Sequence, residues 1–402
     1  MATSSDISSN NYNLRQIVGE KTIPHSQKDL SLMANDREFL YQIPTVPPSF
    51  GSTSQINIVE QGVIVHRNII QIVVSKLANN TTALLPASCM FPRIVVENNG
   101  KLIQTILGGH QWIIKNTKYT DAQRTLTGEG LSGPNDLQSR INSGQIAVSQ
   151  TLWCVLEDFI QMGSSDYLLA TPQHNLTYKI TLASLRDCLS PNDSPGATVL
   201  SMALISEISR PSNLSVRVSN LVRFPEVSFW PDVKQIQTNI GIGQTSVSQQ
   251  LLFNGSVIGI FFVLQLAANI GVQENLFSNF LPVTNFTLLN SRNENLVHKT
   301  SYIDGNLFLK VLAKSQYSSN ITVDTAAITN STQKNIYFFN CSSDIKRALK
   351  TGALCGTRQL TTVDMLSVNF PSNAQPMILT SYLMFENSVT QYFDSPSIVG
   401  VV

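Results

Sequence analysis

Charge is what this sequence has least of. Asp, Glu, Lys and Arg make up 13% of its 402 residues, about half of the usual quarter. Asn, Ser, Thr and Gln stand where Lys and Glu ordinarily cover a surface. The shortage removes the exposed helix faces built from Lys, Glu and Ala and favours pleated surfaces on which Thr, Val and Ile pack. A dominant sign is missing too: 27 basic residues face 26 acidic ones, for a net charge of +1. No global field exists to hold nucleic acid or an anionic membrane, so no sequence-specific nucleic acid is expected as a partner. The same neutrality removes long-range repulsion between copies, which leaves self-association open.

Long hydrophobic runs are also lacking. The longest, Val257 to Leu264, reaches Ile270 only through Gln265 and Asn269, far short of the ~20 residues that span a bilayer. It reads as a buried strand. The five cysteines, Cys89, Cys154, Cys188, Cys341 and Cys355, show no C-x-x-C spacing and read as reduced core residues. Cys341 and Cys355 are the one pair close enough in sequence to consider for a disulfide. The opening residues, Met1 to Ile7, carry neither the basic region nor the apolar run of a secretory signal, so synthesis and folding in the cytosol are the expectation. The sequons at Asn175, Asn285, Asn320 and Asn330 are what a chain rich in Asn, Ser and Thr produces by chance.

Catalytic arrangements are absent as well. There is no phosphate-binding G-x-x-x-x-G-K, no G-x-S-x-G elbow, no H-E-x-x-H and no calcium loop. Gly241-Ile242-Gly243 starts like a dinucleotide loop and lacks its third glycine. The histidines His25, His66, His110, His174 and His298 have no partner at metal-ligand spacing. A glycosidase would need paired carboxylates on facing strands, and Glu157-Asp158 sit at a strand end. The expectation is no enzyme, no cofactor and no metal. Trp112, in His110-Gln111-Trp112, is the candidate platform for a sugar or cation. Trp153 and Trp230 read as packing.

What is present is a long series of short apolar segments between turn residues, the pattern of antiparallel strands. Residues 1–50 form a polar N-terminal arm ending in prolines Pro44, Pro47 and Pro48; within it Asn13–Val18 allows a short helix. Leu14, Arg15, Ile17, Lys21 and Lys28 are the arm's candidate residues for assembly or for facing a membrane, with Asp6, Glu20 and Asp29 diluting the charge. A first series covers Ile56–Val65, Ile69–Leu77, Arg93–Glu97, Leu102–Ile106, Ala147–Leu156, Leu176–Ala183, Thr198–Ile205 and Leu214–Phe224. Asn99-Gly100 supplies the positive φ angles of a tight hairpin inside it. Asp121–Ile141 is Gly-rich and reads as an exposed loop. A second series covers Ser248–Leu252, Val257–Leu266, Asn285–Asn290, Leu307–Ala313, Ile321–Asp324, Ile336–Asn340, Val363–Phe370 and Met377–Phe385. A helix is predicted from Ser342 to Gly352. Pro225 and Trp230-Pro231 place the boundary near 225–245, which divides the chain into an arm (1–50), a first sandwich (51–230) and a second (231–402). No repeat between the halves is visible in the sequence.

Several segments resemble the double jelly-roll major capsid proteins of the tectivirus and adenovirus lineage. Arg93–Ile103, continuing through Gly108–Trp112 to Lys115–Thr117, is similar to an early strand, turn and helix-like step of that family. Leu168–Ile180 resembles its Pro-Gln turn and following strand, and Tyr337–Cys341, Met365–Phe370 and Met377–Glu386 resemble its closing strands. The arm departs from the family pattern, being shorter and less basic. The resemblance implies an all-β fold of two consecutive eight-stranded jelly-roll β-sandwiches with an N-terminal arm and a few short helices. It also implies a homotrimer serving as a pseudo-hexagonal capsomer of an icosahedral virion capsid. Neighbouring capsomers, minor capsid or vertex proteins and, as an option, an internal viral membrane are the partners it implies. The alternative reading is a trimeric β-sandwich protein that binds a receptor or carbohydrate through Trp112 or another exposed aromatic.

Overall fold

Antiparallel ladders organise this chain twice over in the same order. The computed structural model describes residues 37–75, 87–118, 149–163, 167–169, 171–172, 174–188, 198–211, 214–223, 225–270, 280–296, 302–308, 335–342, 357–393 and 398–401. Its first half runs β1 (Arg37–Gln42), β2 (Thr53–Ile58), β3 (Val63–Ser75), α1 (Ala87–Met90), β4 (Arg93–Asn98), β5 (Lys101–Leu107) and α2 (Gly108–Lys118). Then follow β6 (Ser149–Val155), α3 (Phe159–Met162), β7 (Tyr167–Leu169), β8 (Leu176–Thr181), α4 (Leu185–Cys188), β9 (Val199–Ser209) and α5 (Leu214–Arg223). Sheet I has the order β1-β9-β3-β6, with β7 also on β3, and sheet II has the order β2-β8-β4-β5. Together they make one jelly roll.

The second half runs β10 (Glu226–Ile240), β11 (Ser246–Gln250), β12 (Gly255–Leu266), β13 (Asn285–Leu289), β14 (Ile303–Asp304), α6 (Gly305–Leu307) and β15 (Tyr337–Asn340). It closes with β16 (Arg358–Leu360), β17 (Met365–Asn369), β18 (Met377–Gln391) and β19 (Ile398–Val401). Sheet III is β10-β18-β12-β15, with β16 on β12 and β19 on β18; sheet IV is β11-β17-β13-β14. Adding nine to each strand number of sheets I and II gives sheets III and IV, including the extra strand on the third, with β19 on β18 as an addition to sheet III. The fold is thus two jelly-roll sandwiches, and a repeat invisible in the side chains is explicit in the pairing. Each described ladder joins strands on the same side of Pro225.

Period-two burial builds the first sandwich. In β3, Ile70, Ile72 and Val74 point inward while Ile69, Gln71 and Val73 point out; the inward set meets Ile94 and Val96 of β4 and Tyr178 and Ile180 of β8 in the core. The β4–β5 hairpin turns at Asn99 (φ 48°) and Gly100 (φ 79°), both left-handed as a type I′ turn requires. That is the turn expected from Asn-Gly. Strand β12 differs, being buried on both faces from Val257 to Gln265.

Several sequence expectations are corrected. Leu214–Phe224 is not a strand: Leu214–Arg223 is helix α5. Its Leu-Ser-Val-Arg-Val alternation imitates period two, yet the residues that bury are Leu214 and Leu221 on one helical face, against Ile64, Leu168 and Phe393. Ile56–Val65 is two strands, β2 and β3, parted at Gly62, which has a φ of 74°. The C-terminal end of the expected arm is an edge strand, β1, paired with β9 from Arg37↔Ser209 to Gln42↔Leu204. The 225–245 stretch holds the 15-residue strand β10. Pro231 is tolerated there because β10 is an edge whose one partner is β18, so the missing N–H breaks no ladder on the other side. Leu307 belongs to α6 rather than to a strand. The loop Asp121–Ile141, the segment Ile321–Asp324 and the helix expected beyond Ser342 lie outside the described residues.

Candidate functional site: the junction and an open sheet face

The two sandwiches meet where one face of sheet III receives the helices beside sheet II. On that face Gln235 and Gln237 of β10, Val263 and Gln265 of β12, and Thr380 and Tyr382 of β18 line a cavity of about 250 Å3. The opposite wall is Cys89 of α1, Pro92, Leu107 of β5, and Gly109, Trp112 and Ile113 of α2. Aromatic contacts tie the halves together around it. The His110 and Tyr382 rings lie 5.7 Å apart, Trp112 meets Phe280 edge-on at 5.6 Å, and Phe159 meets Trp230 edge-on at 5.6 Å. At the far end His174 Nε2 lies 2.6 Å from the Tyr392 carbonyl oxygen, and Gln391 Nε2 donates to the Leu168 carbonyl.

Beside this junction sits a buried polar centre. Asp158 caps α3, accepting from the backbone N–H of Ile160 and of Gln161 through Oδ1. Its Oδ2 accepts from Asn68 Nδ2 at 2.9 Å and from the Tyr178 hydroxyl at 2.8 Å. Ser206 donates to Asn68 Oδ1 at 2.7 Å, closing the network across sheet I. Burial pushes the Asp158 carboxyl above its ordinary range against the pull of these donors, and pushes the Tyr178 hydroxyl up as well. Each acceptor is served from within the fold, so this carboxyl anchors α3 rather than offering an acid to a substrate.

Asp232, at the start of sheet III, carries the polar link across the junction. Its carboxylate accepts from Asn387 Nδ2 at 2.9 Å, and burial raises it to about 6 despite help from Asn387, the Val233 N–H and Gln104. Gln104 belongs to β5, and its Oε1 also accepts from the Phe159 N–H at 2.7 Å. One glutamine thus spans both halves. His110, buried without a compensating charge, is lowered to about 3 and stays neutral.

Sheet I, the counterpart of sheet III, exposes the outer side of its edge strands β1 and β6, while its central strand β9 is buried there, Ile205 at 6% and Glu207 at 9%. Register places Tyr41, Ile205, Ile69 and Val155 in one row across all four strands. The neighbouring rows hold Phe39, Glu207 and Arg67 on one side and Ala203, Gln71 and Trp153 on the other. Phe39 is 59% exposed, Tyr41 64% and Trp153 39%. Arg37 Nη1 and Arg67 Nε flank the Glu207 carboxylate at 2.5 and 3.7 Å, and Arg210 beside them pairs with Glu38 at 3.5 Å and Glu60 at 3.0 Å, so three arginines balance three glutamates at this end of the sheet.

The sequence-chosen residues fare unevenly. Leu14, Arg15, Ile17, Lys21 and Lys28 all lie outside the described residues. Trp112 is 1% exposed and offers no platform, so the sugar-binding alternative loses its named carrier. Trp153, expected to be packing, is the half-exposed tryptophan, while Trp230 is buried as expected. Cys89, Cys154 and Cys188 are buried, and none of these or Cys341 forms a disulfide. Cys355 is outside the described residues. Among the described residues no cluster of three or more His, Cys, Asp or Glu is placed to hold a metal, and no helix is long and apolar enough to cross a membrane.

No family model and no curated protein matches this sequence. Solved structures do match in fold. The capsid of the virus PBCV-1 aligns over 92% of this chain and 97% of its own at a TM-score of 0.66 with 12% identity. The Faustovirus major capsid protein aligns over 96% and 97% at a TM-score of 0.58 with 9% identity. The mavirus major capsid protein aligns over 90% of each chain at 0.55 with 8% identity. The chain therefore has the double jelly-roll fold of viral major capsid proteins.

Proposed function

We propose that this protein is a viral major capsid protein that works by geometry, assembling as a homotrimer into a pseudo-hexagonal capsomer of an icosahedral virion shell. The observation that carries the reading is the twofold repetition of one jelly-roll strand order in a chain that aligns nearly end to end with the PBCV-1 capsid. Three chains then supply six sandwiches. Near-neutral charge and the exposed aromatic side chains Phe39, Tyr41 and Trp153 on sheet I support self-association over binding a small substrate. In this reading the chain is no enzyme. The arm, with Leu14, Arg15, Ile17, Lys21 and Lys28, serves contacts beneath or between capsomers. The first sandwich runs to the α5 connector and the second starts with β10. Neighbouring capsomers and minor capsid or vertex proteins are the partners, with an internal viral membrane as a further one, and folding takes place in the host cytoplasm.

Light scattering with negative-stain electron microscopy tests this. One chain has a mass of 44.2 kDa, so the purified protein is expected near three times that, about 133 kDa, with a six-sided outline. A monomer, or an elongated trimer, overturns the proposal.

A further inference from the structure

The cavity at the junction has a floor, a roof and a mouth. Its floor is the pleated face of sheet III, where register sets Gln235 beside Tyr382, and Gln237 beside Thr380 and Val263. Its roof is Trp112 and Ile113 of α2 with Cys89 of α1. Burial deepens across the sheet: Gln235 and Gln237 on the edge strand β10 are exposed, Thr380 on β18 is 3% exposed and Val263 on β12 is 2%. The Leu281 N–H donates to the Leu264 carbonyl, which holds Phe280 at the inner end. The cavity is therefore a slot that opens at β10 and closes on an aromatic ring. Among the described residues no Lys, Arg or His lines it, and the one carboxylate, Asp187, accepts from the Ser184 hydroxyl at 2.7 Å. The other polar side chains are the carboxamides of Gln235, Gln237 and Gln265 and the hydroxyls of Thr380 and Tyr382. Carboxamides offer both donors and acceptors, whereas a full charge entering the slot would give up its water for neutral groups. An apolar cavity of about 150 Å3 holds one benzene ring; about 250 Å3 leaves room for a planar ring with a polar substituent.

We infer that this slot binds a neutral, planar aromatic molecule with a donor and acceptor edge such as a carboxamide. The ligand enters past Gln235 and Gln237, lies between sheet III and Trp112, and ties the two sandwiches together. The inference goes beyond the capsomer reading and does not rest on it, since the slot is complete within one chain. Both halves build the site, so it exists only in the folded chain, and occupancy stabilises the chain by mass action.

Benzamide and benzoate, alike in shape and different in charge, are the probes, and saturation-transfer NMR on the purified protein reads their binding. Benzamide is expected to bind in the millimolar range, as about nine non-hydrogen atoms allow, and benzoate at least about tenfold more weakly. Gln237→Trp puts a ring in the mouth at an exposed position and is expected to abolish benzamide binding. Ile242→Trp, exposed on the β10–β11 turn, is expected to leave it unchanged, and circular dichroism checks that both variants fold. A second measurement needs no variant. Iodoacetamide labelling of Cys89, resolved by peptide mass spectrometry, is expected to slow about twofold when benzamide is present at its Kd, with Cys341 labelling unchanged. No benzamide binding, equal binding of the two probes, binding that survives in Gln237→Trp, or Cys89 labelling that benzamide does not slow overturns the inference. Each of these results leaves the capsomer reading standing, because none depends on how many chains associate.

Discussion

Sheets I and III share one strand order and differ in how deeply they bury the third strand of that order. Strand β3 of sheet I alternates inward and outward residues, whereas its counterpart β12 is buried from Val257 to Gln265. The sequences record the difference. A strand covered on one side needs apolar residues at every second position, and one covered on both needs a continuous run, which Val257–Leu264 supplies. Gly259 leaves room within the sheet itself, since a Cβ there would lie 2.1 Å from the ring of Phe338 on the paired strand β15. Strand β12 is an interior element of the chain, whereas β3 keeps one side partly exposed.

Trp230 and Trp153 put that contrast to the largest test. Trp230 is enclosed at the junction against Phe159, so Trp230→Ala is expected to lower stability by about 3–5 kcal/mol, the range for removing a buried tryptophan. Urea unfolding at fixed protein concentration measures it. A loss below about 1 kcal/mol would mean that the sandwiches barely lean on one another.

The next effect is electrostatic. Asp232 is raised from 3.8 to about 6 by burial. Between those values the folded chain keeps a proton that the unfolded chain has lost, so stability falls as pH rises through this window and the deficit is complete above it. The gap corresponds to at most on the order of 3 kcal/mol. Asp232→Asn keeps an oxygen for Asn387 and removes the charge. It is expected to gain up to that amount over wild type at pH 8 and nothing at pH 4, read from urea midpoints. His110, lowered to about 3, works in the opposite sense: it costs stability as pH falls below its ordinary 6.5. The wild-type profile is therefore flattened where both titrate, and the variant uncovers a rise with pH. Equal gains at both pH values would show that Asp232 is not buried at a junction.

Much of the fold was legible because interior strands announce themselves. β4, β8, β12, β13, β15 and β17 fall within a residue or two of their expected positions, and Asn-Gly gave the β4–β5 turn. What escaped were elements whose residues obey a partner the sequence does not name. β1 points Phe39 and Tyr41 outward, so it lacks an inward apolar face and reads as arm. β10 holds Pro231, harmless on an edge but a linker signal in one dimension. The polar end of β18, Glu386 to Ser388, is buried because Asn387 serves Asp232, 155 positions away. The junction was illegible for the same reason: His110 and Tyr382, or Gln104 and Asp232, become neighbours only through topology.

The smallest effect is the one that isolates sheet I. Trp153→Ser removes a side chain that is 39% exposed on an outer face, where little packing surrounds it, so the unfolding free energy of the single chain is expected to change by no more than about 1 kcal/mol. This sits beside the several kcal/mol of Trp230→Ala as a matched comparison of two tryptophans in corresponding sheets. Fluorescence adds an independent reading. Trp112 and Trp230 are buried, so acrylamide reaches chiefly Trp153, and the serine variant is expected to lose the quenchable fraction. Quenching that survives in the serine variant would mean that Trp112 or Trp230 is reached by solvent and that the two tryptophans are not the contrast their burial implies.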